Sequence, residues 1–170
     1  MADFTVIKPR QQQVWAIGDD ATVGNTLVLV SELLCEAVDG RAGQQVLDVA
    51  TGNGNTALAA ARRWCEVMGI DEVPALLRWG EARTAAEGLS VTFQEGDAEQ
   101  LPCPDGAFDV VLSTFGAVCA PDQEHPGSVS FSVKRVLGYL CSTSHALRVS
   151  SGRDATWVLV ERMYTGQTPP

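Results

Sequence analysis

Hydrophobic and polar positions follow two periods along this chain. From Thr26 to Val38, Leu27, Val28, Val30, Leu33, Leu34, Ala37 and Val38 recur three and four residues apart, with Glu32 and Glu36 between them. That spacing predicts an amphipathic helix, and Asp39-Gly40 closes it. Four apolar runs follow: VLDVA (Val46–Ala50), Cys65–Ile70, Val91–Gln94 and FDVVLS (Phe108–Ser113). Each is short enough to read as a buried strand. Between the first two lies ALAAARR, rich in strong helix formers, which predicts a helix beginning near Asn55. Between the second and third, Pro74 suits the first turn of a helix running to about Glu87, and Gly88 suits its C-cap. Gly96 to Gly106 holds two prolines and reads as a loop. Upstream, Gln11 to Ile17 is a short segment containing Trp15, and GDDATVGN reads as a loop or helix start. The order β-α-β-α-β-loop-β predicts an α/β fold, a parallel sheet with helices on both faces.

Composition narrows the class. A chain of 170 residues suits one domain with a sizeable core. With 45% hydrophobic and 19% charged residues it has the profile of a soluble globular protein, and no apolar run is long enough for a membrane span. The start, MADFTVIKPRQQQ, lacks the basic and apolar regions of a signal peptide. A net charge of −9 argues against a nucleic-acid partner. Cys35, Cys65, Cys103, Cys119 and Cys141 are scattered, with no CxxC and no zinc spacing. The expectation is a cytoplasmic protein with reduced, buried thiols and no metal.

The candidate chemistry lies after the first strand. Gly52-Asn53-Gly54-Asn55-Thr56-Ala57 fits G-x-G-x-x-A between a strand and a helix, where glycines let the backbone approach a ligand. A plain tight turn would fit the motif equally well. Three aspartates tip the balance. Asp48 lies inside the first strand, Asp71 ends the second, and Asp97 follows the third. In a parallel sheet all three belong to the carboxyl edge, where such sheets bind ligands. An acid after the second strand can accept from ribose hydroxyls, and one after the third can meet an adenine amine. A dinucleotide pyrophosphate favours glycine where Ala50-Thr51 stands and disfavours the nearby Asp48. A cationic nucleoside such as S-adenosylmethionine fits better.

These residues, in VLDVATGNGNTALAAARR and in the stretch from GIDEVP through FDVVLSTFGAVCAPDQ, resemble the class I S-adenosylmethionine-dependent methyltransferases. The resemblance is to the small-molecule branch related to ubiquinone and menaquinone biosynthesis, and it covers about residues 8–124. It implies a Rossmann-like sheet and a small-molecule methyl acceptor. It further implies that Asp48, Gly52 and Gly54 surround the methionine part of the cofactor, that Asp71 holds the ribose, and that Asp97 and Ala98 meet the adenine. Ser113 and Thr114 would line the pocket floor. Trp15, Gly18 and Asp19 resemble the N-terminal segment that covers the cofactor. Two positions depart from the family. Ala50 replaces the first glycine, a tolerable change if its backbone stays in the β region. Glu72 stands where an apolar or aromatic residue often packs on the adenine. No catalytic residue is assigned. The two histidines, His125 and His145, lie beyond the resemblance, and no GxSxG or Ser-His-Asp pattern points to a hydrolase.

The tail reads differently. Residues 1–124 carry 7 basic and 19 acidic side chains, a net of −12, whereas residues 125–170 carry 5 and 2, a net of +3. SVSFSV alternates at a strand period where relatives carry a Leu- and Ala-rich helix, and no late Pro-Gly-Gly exists. This divides the chain into a cofactor-binding core with an N-terminal helical cover, 1–124, and an atypical tail, 125–170, expected to be replaced by a shift of reading frame. The sheet is then incomplete at its C-terminal end. Its fourth strand becomes an open edge that invites self-association, unless Val129–Val133, Leu137–Cys141 or Thr156–Val160 substitutes. Three other readings stay open: an inactive methyltransferase-like fragment or binding module, an NAD-type oxidoreductase, and a purely structural α/β domain.

Overall fold

In the computed structural model the described residues are 4–17, 20–98, 100–104, 106–114, 135–139 and 156–159. Two helices lead: α1 (Phe4–Ile17) and α2 (Asp20–Ala37). Then come β1 (Gln45–Val49), α3 (Asn55–Ala61), β2 (Glu66–Asp71), α4 (Pro74–Glu87), β3 (Val91–Glu95), β4 (Val110–Thr114), β5 (Arg135–Tyr139) and β6 (Thr156–Leu159). The strands form one sheet in the order β3-β2-β1-β4-β5-β6, and every pairing is parallel. The chain walks outward from β1 to β3 and then returns to the far side of β1. The carboxyl ends of β1 and β4 therefore flank the point where the winding reverses, the place where such sheets open a crevice.

Alternation along each strand sorts the core into two faces. Val46, Val67, Val110 and Leu112 pack with Leu34, Cys35 and Val38 of α2 and Ala57, Ala59, Ala60 and Ala61 of α3. Leu47, Val49, Ile70 and Val111 point the other way, onto Ala98, Leu101, Cys103 and Phe108. On that second face the described cover is the loop after β3. Small side chains on α3 let it lie close on the sheet, and Thr56 through Ala60 are almost wholly buried. Arg62 ties α3 to its neighbours, donating to Glu32 of α2 at 2.6 Å and to Glu87 of α4 at 2.8 Å.

The helix boundaries follow local chemistry. Pro74 opens α4, and Gly88 closes it at φ 67°, with Leu89 N–H reaching back to the Thr84 carbonyl at 3.0 Å. After α2 the left-handed residue is Asp39, at φ 53°, rather than Gly40. Aspartate tolerates that region better than most residues with a side chain. Upstream, the sequence pattern understated the helices. Gln11–Ile17 is the second half of α1, and α2 starts six residues before Thr26.

The tail follows the substitute-strand alternative. β4 is not an open edge, because β5 pairs with it from Val111↔Val136 to Thr114↔Tyr139, and β6 pairs with β5. Backbone pairing satisfies the groups that would have invited another chain, which removes the reason for self-association at β4. Of the three candidate substitute strands, Leu137–Cys141 and Thr156–Val160 fall on β5 and β6, whereas Val129–Val133 lies outside the described residues.

Candidate functional site

The site is built around the turn from β1 to α3. Asp48, in the fourth position of β1, faces the helix side of the sheet and is 1% exposed. Its Oδ2 accepts from the Thr51 hydroxyl at 2.6 Å and from the Ala57 N–H at 3.0 Å. Gly54, which precedes α3, has no side chain to cap the helix, so a carboxylate from the strand below takes one of its first-turn donors. Asp48 Oδ1 is buried with no hydrogen-bond partner. Burial pushes the Asp48 carboxyl up to about 7, against the pull of the Thr51 and Ala57 donors, and the Asp71 charge adds to the rise. Asp48 is thus beneath the turn rather than on its rim.

The turn itself is left-handed at three positions: Ala50 at φ 54°, Gly52 at φ 57° and Gly54 at φ 86°. The expectation that Ala50 stays in the β region fails. The same turn that needs Gly52 and Gly54 bends at Ala50 too, and the Cβ there bears the strain. A Cβ built on Gly52 meets no described atom within 4 Å, so the backbone there borders open space. Gly54 is closed: a Cβ would come within 2.8 Å of Leu58 and 3.1 Å of the Phe93 ring.

Asp71, at the end of β2, braces the turn from the side. Its Oδ2 accepts from Gly52 N–H at 2.8 Å, and its Oδ1 accepts from Val73 N–H at 2.9 Å. One carboxylate thus couples the Gly52 turn to the entry of α4. Asp97 lies past β3, forms a bridge with Gln100 and is ion-paired to Lys8 of α1. Four residues on, the Gln12 side chain donates to the Glu72 carbonyl at 3.0 Å. Helix spacing puts Lys8 and Gln12 on one face, so α1 crosses the carboxyl ends of β2 and β3. Trp15, expected in that covering role, lies on α1 but is 42% exposed. Gly18 and Asp19 lie outside the described residues.

Ala98, in the loop after β3, packs on the second face of the sheet. Ser113 and Thr114 end β4 on opposite faces. Thr114 shares a hydrogen bond of 2.6 Å with Thr56, which in turn meets Ser31 at 3.1 Å. Hydroxyls thus run from β4 through α3 to α2. Sequence reasoning missed Lys8, Gln12 and Arg83, whose Nη1 donates to the Asn53 carbonyl at 2.8 Å and to Asn55 Oδ1 at 2.7 Å. Burial lowers the Arg83 pKa. Among the described residues no helix is long and apolar enough to cross a membrane, and no group of His, Cys, Asp and Glu could hold a metal. Cys35 and Cys65 are buried free thiols, and burial pushes Cys35 up to about 12, which keeps it unreactive. Cys103 is half-buried, whereas Cys119, Cys141, His125 and His145 lie outside the described residues.

Residues 46–138, more than half of the chain, match the family model described as a methyltransferase domain. The chain belongs to that family. The match covers β1 to β5 and runs past residue 124, where the resemblance was expected to stop. An uncharacterized protein of Mycobacterium tuberculosis H37Rv is 42% identical over 111 residues, covering 65% of this chain and 40% of its own length. The demethylmenaquinone methyltransferase of Thermus thermophilus is 45% identical over 78 residues, covering 45% of this chain and 36% of its own. The crystal structure of the YcgJ protein from Bacillus subtilis superposes with a TM-score of 0.53 at 30% identity, over 58% of this chain and 43% of that one. The chain therefore spans about 40% of the length of these relatives. For the methyltransferase domain, the arrangement offers a strained, glycine-lined turn beside open space, held from below by one carboxylate and from the side by another.

Proposed function

We propose that this methyltransferase domain binds S-adenosylmethionine along the carboxyl ends of β1, β2 and β3 and serves methyl transfer to a small-molecule acceptor. The observation that carries this reading is the Asp71 carboxylate. It is held by two backbone N–H groups, one of them in the Gly52 turn, at the rim next to the only stretch of that turn whose glycine borders open described space. A carboxylate so fixed is preorganised to receive paired ribose hydroxyls. Gly52 would let the methionine part lie against the backbone. Asp48 would act from beneath, shaping the turn through Thr51 and Ala57. Its orphaned Oδ1 fits a cationic ligand above it, because a nearby positive charge favours the ionised carboxylate. Asp97 and Ala98 would meet the adenine once Lys8 yields its partner, and Glu72 contributes its backbone carbonyl to hold α1. Ser113 would face the pocket floor.

When bound, the cofactor supplies a sulfonium-activated methyl group. The protein's share is then positioning and the exclusion of water. This chain's own residues do that work by fixing the turn, aiming Asp71 and laying α1 over the rim. The similarity to a demethylmenaquinone methyltransferase supports a small acceptor. Calorimetry with S-adenosylmethionine, S-adenosylhomocysteine and NAD tests the reading. The two sulfur nucleosides bind and NAD does not. Asp71→Ala weakens binding at least tenfold, the worth of one charge-assisted hydrogen bond or more. Unchanged affinity in Asp71→Ala defeats the ribose assignment, and tighter binding of NAD defeats the choice of cofactor.

A further inference from the structure

The Gly52 turn is also gripped from α4. Arg83 lies in the third turn of α4 and is part-buried. Its single Nη1 carries two hydrogens, and each finds an acceptor: the Asn53 carbonyl at 2.8 Å and Asn55 Oδ1 at 2.7 Å. Those acceptors flank Gly54, the most strongly left-handed residue of the turn. Beneath the same turn the Phe93 ring is seated among glycines from three elements. A Cβ would approach that ring within 3.1 Å from Gly54, 3.1 Å from Gly69 on β2 and 2.8 Å from Gly80 on α4. Gly80 and Arg83 sit three apart on α4, on one face. The same face of α4 therefore meets the turn twice, once through an aromatic plug and once through a guanidinium.

We propose that Arg83 is a positioning residue for the cofactor turn, holding Asn53 and Asn55 so that Gly52 stays beside Asp71 and open to the ligand. The inference rests on the proposed cofactor site, yet its geometry is independent of any ligand. A turn with left-handed positions at 50, 52 and 54 is poorly populated by a free chain, because Ala50 gains nothing by bending that way. Phe93 fixes how deep the turn lies, whereas Arg83 fixes its lateral position. A half-buried guanidinium on neutral oxygens is worth retaining only where both acceptors are kept, since burial of an unpaired charge is costly.

The test compares Arg83→Met, Arg83→Lys and, as a control, Arg62→Met. The control loses the pairs to Glu32 and Glu87 but no bond to the turn. Two readouts are taken: amide hydrogen exchange over residues 51–58 without ligand, and calorimetric affinity for S-adenosylmethionine. In Arg83→Met, which loses both bonds, the turn amides exchange at least roughly tenfold faster and binding weakens at least roughly tenfold, at about 1.4 kcal/mol per decade. Lysine, which can donate to two acceptors, restores part of both. Arg62→Met lowers stability and leaves both readouts at wild type. Wild-type exchange at the turn in Arg83→Met overturns the proposal, as does an equal loosening in Arg62→Met. If the wild type fails to bind S-adenosylmethionine while Arg83→Met still loosens the turn, the cofactor reading fails and the positioning role stands.

Discussion

Asp48 makes the most quantitative prediction. It is buried, with two donors on one oxygen and none on the other, and its carboxyl is pushed up to about 7 from the ordinary 3.8. In the unfolded chain the group ionises near the ordinary value. Between about pH 4 and pH 7 the folded protein therefore keeps a proton that the unfolded chain has released. Stability falls wherever the native state binds more protons and the pH rises. The sign is opposite to that of a salt-bridged aspartate, whose folded value is depressed. At about 1.4 kcal/mol for each step of one in pKa, ionising Asp48 in the free protein costs on the order of 4 kcal/mol by pH 8. Small domains have roughly 5–15 kcal/mol in all, so the loss is large.

Asp48→Asn removes the titration and keeps the shape. Its Oδ1, in the place of the Asp48 Oδ2, can still accept from the Ala57 N–H and the Thr51 hydroxyl, and the amide nitrogen takes the place of the unpartnered oxygen, a cost that does not change with pH. Urea unfolding of both proteins at intervals from about pH 5 to pH 8 supplies the comparison. The wild-type midpoint falls across that range, whereas the variant's changes little, so the two curves diverge in the variant's favour by a few kcal/mol at the upper end. Glu32 does not confuse the result. Burial tends to raise its pKa, but the Arg63 and Arg62 guanidiniums outweigh that and lower it, so its contribution changes below the ordinary glutamate value. A gap between wild type and Asp48→Asn that stays constant from about pH 5 to pH 8 refutes the account of a carboxyl starved of solvent and partners.

Three further substitutions probe the turn and its support. Ala50→Gly relieves a left-handed alanine worth about 1 kcal/mol, partly offset by the entropy of a freer unfolded chain, so stability holds or rises slightly. Ala50→Val drops it by about 2 kcal/mol, because a β-branched residue is a steric outlier there. Thermal melts of the pair decide it, and a marked loss in Ala50→Gly contradicts the left-handed geometry. Gly80→Ala sets helix propensity, a gain of about 1 kcal/mol, against a Cβ placed 2.8 Å from the Phe93 ring. Because two other glycines box that ring in, it cannot step aside, and overpacking of about 1–3 kcal/mol wins. Chemical denaturation then shows a net loss, and a stabilised Gly80→Ala shows that the ring is not confined.

What the sequence revealed and what it withheld divide along one physical line. Periods of 2 and 3.6, capping by Pro74 and Gly88, and the glycines after β1 are local signals, and they located β1 through β4, α3 and α4 within a residue or two. They also set Asp48, Asp71 and Asp97 at one edge, because strand ends in a parallel sheet share a side. Which way those acids face was not local. Asp48 turned out to be buried because β1 presents its even positions to α3, and that depends on which helix lies over which face. Ala50 was misjudged for a related reason: its φ is imposed by the route from β1 over Asp71 to α3, not by its own preference. In the tail the strand segments were legible only as alternatives, because composition and charge report on solvent and partners, whereas β5 and β6 pair through backbone groups that every residue carries. Lys8 and Arg83 were invisible because each acts on a residue far along the chain, 89 positions away for Lys8 and Asp97, and 28 for Arg83 and Asn55. The side chains that could bind a ligand are thus legible from motif spacing, but those that hold the motif in its strained shape emerge only when α1 and α4 are laid against it. If Arg83 governs the turn as its geometry implies, a chain that keeps every residue of the glycine motif and loses this arginine should still look like a cofactor site and bind poorly.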